Sequence, residues 1–234
     1  MKPASGVIVT GGTGALGRTV VPLLVAGGSR VAVPWREEES WRALAAAVGR
    51  ADALVGIEAD LSTADGAARF VGAAAAALGR LDGAALVAGG WGGGTRFEAA
   101  PAEEWSRMMR ANLDTVAHVC RAALPHLLRE GGSVVAVGSR AAELAGDGMA
   151  AYAVSKAAVH ALVRVLALEN RARGVRFNAV LPGTIDTPAN RAAMPGADPA
   201  AWTSPGAIAR TIGFLLSPDS APVTGALVPV DGRG

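Results

Sequence analysis

Cysteine is nearly missing from this 234-residue chain. Cys120 stands alone, so no intrachain disulfide can form, and a reducing cytoplasm is the expected setting. Charge is scarce too: Asp, Glu, Lys and Arg make up 18% of residues, against about 25% in an average soluble protein. Without a basic run, the phosphate-tracking face of a nucleic-acid binder is missing. The pI of 9.2 reflects few titrating groups, since the formal net charge is only +2. Although 51% of residues are hydrophobic and mean hydropathy is +0.33, no apolar stretch reads as long enough to cross a bilayer, and no apolar leader opens the chain. Neither nucleic acid nor membrane is an expected partner. Lysine and tyrosine are rarer than the size of the chain would suggest. Only Lys2 and Lys156 are lysine among 22 basic residues, and Tyr152 is the sole tyrosine.

What is present is regular. Short continuous aliphatic runs at 7–10, 31–33, 54–57, 84–88, 134–137, 175–180 and 226–230 read as strands buried on both faces. Alanine-rich segments of helical spacing, at 40–49, 63–78, 101–129, 151–173 and 205–216, lie between them. Strand and helix in alternation imply parallel pairing through right-handed crossovers. The expectation is an α/β fold: one domain over residues 1–234, with a doubly wound parallel sheet of about seven strands and helices on both faces. Two segments break the rhythm. The glycine run at 89–94 follows a strand directly and is read as lining a site, and the long loop at 182–204 is read as a substrate lid.

The first run passes through Thr10-Gly11-Gly12-Thr13-Gly14-Ala15-Leu16-Gly17 straight into a helical pattern. In that context Gly11 permits a tight turn and Gly14 lets backbone N–H groups approach a pyrophosphate. Gly17 lets the helix pack against the sheet, while Thr13, Ala15 and Leu16 complete the turn. The second strand ends in Trp35-Arg36, where an acidic residue would bond the ribose 2′-hydroxyl of NAD and an arginine accommodates the 2′-phosphate of NADP. NADP(H) is therefore favoured over NAD(H), with Glu37, Glu38 and Glu39 as the opposing consideration.

Tyr152 and Lys156 stand four apart, which puts both on one helix face. A phenol of ordinary pKa about 10 becomes a usable base when a neighbouring ammonium favours the phenolate. A planar guanidinium would not replace that compact ammonium. In a chain that otherwise uses arginine, the only internal lysine follows the only tyrosine at this spacing.

Together these segments resemble the short-chain dehydrogenase/reductase family, over essentially the whole chain. The glycine turn looks like the family's TGxxx[AG]xG, with Ala15 at the middle glycine position. Asp60-Leu61 resembles its adenine-contacting pair, and Leu86-Val87-Ala88-Gly89 stands where the family has Asn-Asn-Ala-Gly, followed here by Gly90. The resemblance implies a catalytic set of Asn112, Ser139, Tyr152 and Lys156. In that set Ser139 would bond the substrate carbonyl oxygen, Tyr152 would move the proton, Lys156 would orient the ribose and lower the Tyr152 pKa, and Asn112 would hold a relay water. Pro182-Gly183-Thr184-Ile185-Asp186-Thr187 resembles the PGxxxT segment that holds the nicotinamide and pyrophosphate. It further implies a homodimer or homotetramer through the helices around Asn112 and Tyr152.

A narrower resemblance, to quinonoid dihydropteridine reductases, rests on Val87 to Trp91, Asp186-Thr187-Pro188 and Trp202-Thr203, but Ser139 and Arg36 depart from it. The expected activity is interconversion of a small-molecule ketone or aldehyde and an alcohol. An imine reductase and a non-catalytic NADP(H)-sensing binder are the alternatives. His118, Cys120, His126 and His160 lack metal-ligand spacing, so no metal is expected. Glu143 and Asp147 read as loop charges, while Trp91, Met149, Met194 and Trp202 are candidates for the substrate pocket.

Overall fold

β-Branched and alanine-rich runs set the sheet in the computed structural model, which describes residues 5–144 and 146–232. The strands are β1 (Gly6–Thr10), β2 (Arg30–Trp35), β3 (Leu54–Glu58), β4 (Gly83–Leu86), β5 (Gly132–Val137), β6 (Val175–Pro182) and β7 (Leu227–Val230). They form one sheet among the described residues, in the order β3-β2-β1-β4-β5-β6-β7, with every pairing parallel. Helices α1 (Gly17–Ala26), α2 (Glu38–Val48), α3 (Ala64–Leu78), α4 (Ala102–Met108), α5 (Thr115–Glu130), α6 (Ala141–Leu144), α7 (Ala150–Asn170), α8 (Pro188–Ala193) and α9 (Pro205–Leu216) connect them.

Successive strand residues point to opposite faces, and each face has its own core. Ile8, Val134 and Ala136 face one core, with Phe70 of α3 and Val159 of α7. Val7, Val9 and Val135 face the other, with Val20 of α1 and Ile212 of α9. Both faces are dry, which is why the strands read as continuous rather than alternating. Strand order reverses direction between β1 and β4, so the carboxyl ends of those strands mark the crevice where open α/β sheets bind ligands.

Three expectations change. The helix expected over 101–129 is divided: α4 ends at Met108, a wide π turn spans Met109–Asp114, and α5 follows. The strand expected to reach residue 88 stops at Leu86, because the Ala88 N–H bonds the Thr10 hydroxyl at 3.1 Å. The stretch Ala150–Arg173 is long and apolar enough to cross a membrane by length and composition, at mean hydropathy 1.4, so the reading that no stretch qualifies is corrected. Here it packs on the sheet, with Val163 and Ala167 in the core and Lys156 and Asn170 buried.

Arg176 in β6 ties the end of α9 to the sheet. Its guanidinium donates to the carbonyls of Leu215 (3.0 Å) and Ser217 (3.0 Å) and to the Ser220 hydroxyl (2.9 Å), where the helix dipole favours a cation. Arg176→Ala is expected to cost about 2–3 kcal/mol, read as a lower urea midpoint.

Candidate active site

β1 runs into a turn that only glycine can make. Gly11 has φ +65°, and a methyl on Gly17 would stand 2.1 Å from the Gly11 carbonyl oxygen. Gly14 and Ala15 are exposed at the tip, while the Leu16 side chain enters the core, leaving its backbone to the site. The turn opens onto a cleft of about 350 Å³. Gly11 and Thr13 line one side, Trp35 and Arg36 the end of β2, and Asp60 and Leu61 the end of β3; Ala88 and Gly89 complete it. The sequence-derived candidates from four separate strand ends thus share one space.

The cleft fits a dinucleotide. Side chains at Gly11 and Gly17 would collide with the backbone that shapes its cradle, and the buried Trp35 Nε1 has no partner among the described residues. Asp60 accepts the Ser62 N–H at 2.9 Å, which holds its carboxyl below the usual range, and Arg36 adds to the effect. Arg107 and Arg110 also enter the cleft, from α4 and the π turn. No sequence signal marked them, because arginines are scattered throughout the chain.

Ser139 lies two residues beyond β5 and is buried; its Oγ accepts the Ala141 N–H at 3.1 Å. Tyr152, in the first turn of α7, has its pKa raised by burial, while the nearby Ser139 hydroxyl acts to lower it. Lys156 is 5% exposed, and burial brings its pKa down to about 8. Its Nζ donates to the Val137 carbonyl at 2.9 Å, and a Cβ on Gly89 would lie 3.2 Å from it. Lys156 therefore stands between the end of β5 and the glycine-lined cleft.

Asn112 is in the π turn, a feature frequent at functional sites. Its amide clamps Gly90 from both sides: the Gly90 N–H donates to Oδ1 at 2.8 Å, and Nδ2 donates to the Gly90 carbonyl at 3.1 Å. Nδ2 also donates to Ser155 Oγ at 2.9 Å, and Ser155 Oγ donates to the Tyr152 carbonyl at 2.7 Å. Both amide hydrogens are used, so the Asn112 side chain can meet a water only as an acceptor, through the second lone pair of Oδ1. Ser155 went unnoticed in the sequence, although a polar residue three after Tyr152 on an apolar helix was a usable signal.

The segment after β6 lies outside the lining of that cleft. The Pro182 carbonyl accepts the Arg140 N–H at 3.0 Å, bringing Gly183 to the Ser139 side. Ile185 bridges to Thr203, its carbonyl accepts Asn190 Nδ2 at 2.8 Å, and Thr187 Oγ1 caps α8. The expected lid thus contains a helix and a bridge. Among the other candidates, His118 Nδ1 is 3.4 Å from the Leu61 carbonyl, and burial pushes the Cys120 thiol up to about 12.

Residues 12–232 match a family model described as enoyl-(acyl carrier protein) reductase. A short-chain dehydrogenase/reductase, ABA4, of Pyricularia oryzae is 33% identical over 96% of this chain and 89% of its own length. The chain belongs to the short-chain dehydrogenase/reductase family. It is an oxidoreductase of the type that acts on alcohol and carbonyl groups. A family member from Mycobacterium ulcerans superposes with TM-score 0.92 at 30% identity, over 97% of this chain and 88% of that one. An NADPH-bound short-chain oxidoreductase of Pseudomonas aeruginosa, described as having an atypical catalytic centre, superposes with TM-score 0.89 at 30% identity over 98% of both chains. For this short-chain dehydrogenase/reductase a nicotinamide cofactor follows.

Proposed function

We propose that this short-chain dehydrogenase/reductase uses NADP(H) to interconvert an uncharged ketone or aldehyde and its alcohol. The observation that carries the reading is the Ser139 hydroxyl near Tyr152, with Lys156 buried one helical turn on, at the edge of the glycine cleft. When bound, the nicotinamide supplies or accepts the hydride. In the reducing direction the Ser139 hydroxyl donates to the carbonyl oxygen, and Tyr152 Oη gives up its proton as that oxygen becomes a hydroxyl. Lys156 holds the ribose and, as an ammonium, favours the phenolate left behind, against the burial that disfavours it. Asn112 holds Gly90, and through Ser155 the start of α7, so that the cleft and the tyrosine keep their register. A serine placed to polarise a carbonyl favours this reaction over reduction of an imine, and the engaged tetrad favours turnover over a sensing role.

Charge supports NADP(H). Arg36 is exposed at the cleft, and two of the three acidic residues after it are engaged elsewhere. Glu38 pairs with Arg42 at 2.7 Å, and Glu37 accepts the Ser40 hydroxyl at 3.3 Å. The reading is tested by following oxidation of NADPH and NADH with a panel of carbonyl compounds. Arg36→Asp is expected to lower the NADPH:NADH ratio of kcat/KM by about 10- to 100-fold, as a phosphate-binding cation is replaced by an anion. An unchanged ratio overturns the assignment of Arg36.

The loops after β4, β5 and β6 expose Trp91, Leu144 and Met194. Charged neighbours on those loops pair with each other, as Arg96–Asp147 (3.4 Å), Arg140–Glu143 (2.5 Å) and Arg191–Asp186 (2.6 Å). Such a surface suits an apolar substrate better than an anionic one. Val154, Val165 and Leu168 form an exposed apolar face on α7, which supports a homodimer or homotetramer with that helix at the interface. The buried Cys120 thiol is compatible with a reducing cytoplasm.

A further inference from the structure

α7 carries a further buried polar residue in line with the catalytic pair. Tyr152, Lys156 and His160 follow at four-residue intervals, each about 40° around the helix from the last, and His160 is 6% exposed. The imidazole lies on the end of β5. A Cβ on Gly138 would stand 2.3 Å from its Nε2 and 2.8 Å from its Cδ2, so glycine at 138 is what lets the ring approach. The Ser139 N–H donates to that Nε2 at 3.3 Å.

Strand geometry explains why Ser139 needs this partner. The N–H groups on either side of it continue the β5–β6 ladder: Gly138 donates to the Val180 carbonyl at 2.8 Å and Arg140 to the Pro182 carbonyl at 3.0 Å. Between them the Ser139 N–H turns to the β4 side, where β4 has already ended at Leu86. Ser139 is buried, and a buried N–H without an acceptor is costly.

We propose that His160 is a positioning residue, whose neutral imidazole accepts the Ser139 N–H through Nε2 in place of the missing strand and so directs the serine hydroxyl toward Tyr152. The proposal rests on the role given above to Ser139. His160 acts through that serine and touches neither substrate nor cofactor. Nε2 accepts only while unprotonated. Burial lowers the His160 pKa below its ordinary value; Glu143 of α6, itself paired with Arg140, opposes this, while Lys156 and Arg164 of α7 reinforce it. The arrangement is therefore intact at neutral pH and is lost as pH falls through that lowered pKa, where both ring nitrogens become donors.

Two measurements test it. In the ¹⁵N-labelled protein with NADP bound, the Ser139 amide resonance is expected to follow the titration of the His160 ring; an amide indifferent to that titration overturns the proposal whatever the activity. In kinetics, His160→Leu fills the space without an acceptor and is expected to lower kcat about 10- to 100-fold, with NADPH affinity unchanged. His160→Gln, which offers an oxygen near the place of Nε2, is expected to keep kcat within a few-fold and to lose the acid limb of the pH profile. Equal losses in the two variants, or an acid limb that persists in His160→Gln, overturn it. Should His160→Leu fail to fold, the glutamine variant and the amide titration decide. Ser139→Ala separates the two levels: wild-type turnover there removes the catalytic role of the serine, while the amide titration still reports its contact with His160.

Discussion

Tyr152→Phe is expected to lower kcat by about 10²- to 10⁴-fold, the usual contribution of a positioned general acid or base, while NADPH binding is retained. Tyr152 is only part-buried, and its ring keeps its place when one oxygen is removed. The folding cost is expected to stay within about 1 kcal/mol, because removing one hydroxyl from a part-buried ring loses little packing and lightens its desolvation. What disappears is the proton donor for the carbonyl oxygen. No substitute is near: Tyr152 is the only tyrosine in the chain, and the Lys156 ammonium is directed to the Val137 carbonyl. Single-turnover kinetics with NADPH and an active carbonyl substrate, alongside fluorescence titration of the cofactor, separate the two effects. Wild-type kcat in the variant would remove Tyr152 from the mechanism.

Gly17→Ala is expected to act in the opposite way, weakening NADPH binding by 100-fold or more, on the order of 3 kcal/mol, with the catalytic residues untouched. The added methyl would stand 2.1 Å from the Gly11 carbonyl oxygen and 2.5 Å from Gly12 Cα. Both are backbone atoms, so neither can swing aside as a side chain would. The turn has to open, and it is the turn whose N–H groups would meet the pyrophosphate. Helix propensity works against this loss, since alanine in place of glycine at the start of α1 is favourable by itself. A fall in affinity at unchanged thermal midpoint therefore reports the geometry of the cradle. Cofactor affinity equal to wild type would show that the turn is not the pyrophosphate site.

Both variants test features that were legible in the sequence, and the reason is the short range of the geometry involved. Gly11 and Gly17 are six residues apart within one turn, and Tyr152 and Lys156 four apart on one helix. Backbone rules of that range act on neighbours along the chain, whatever lies around them. The strand runs were legible for a similar reason, because a sheet covered on both faces leaves no polar alternation to confuse the pattern. The break in the helix expected over 101–129 was not. The π turn at Met109–Asp114 coincides with the Asn112 clamp on Gly90, a partner 22 positions away.

The sequence by itself determined the class of fold, the glycine cradle and the tyrosine–lysine pair, because each is encoded in local spacing or in a periodic pattern of burial. Tertiary structure alone decided the rest. Arg107 and Arg110 reach the glycine-lined cleft, Ser155 joins Asn112 to Tyr152, and His160 sits behind Ser139, across 21 residues of chain. These contacts depend on where β4 stops relative to β5 and on how α7 lies across the sheet. Such registers are set by the packing of whole elements, a property that no window of neighbouring residues contains.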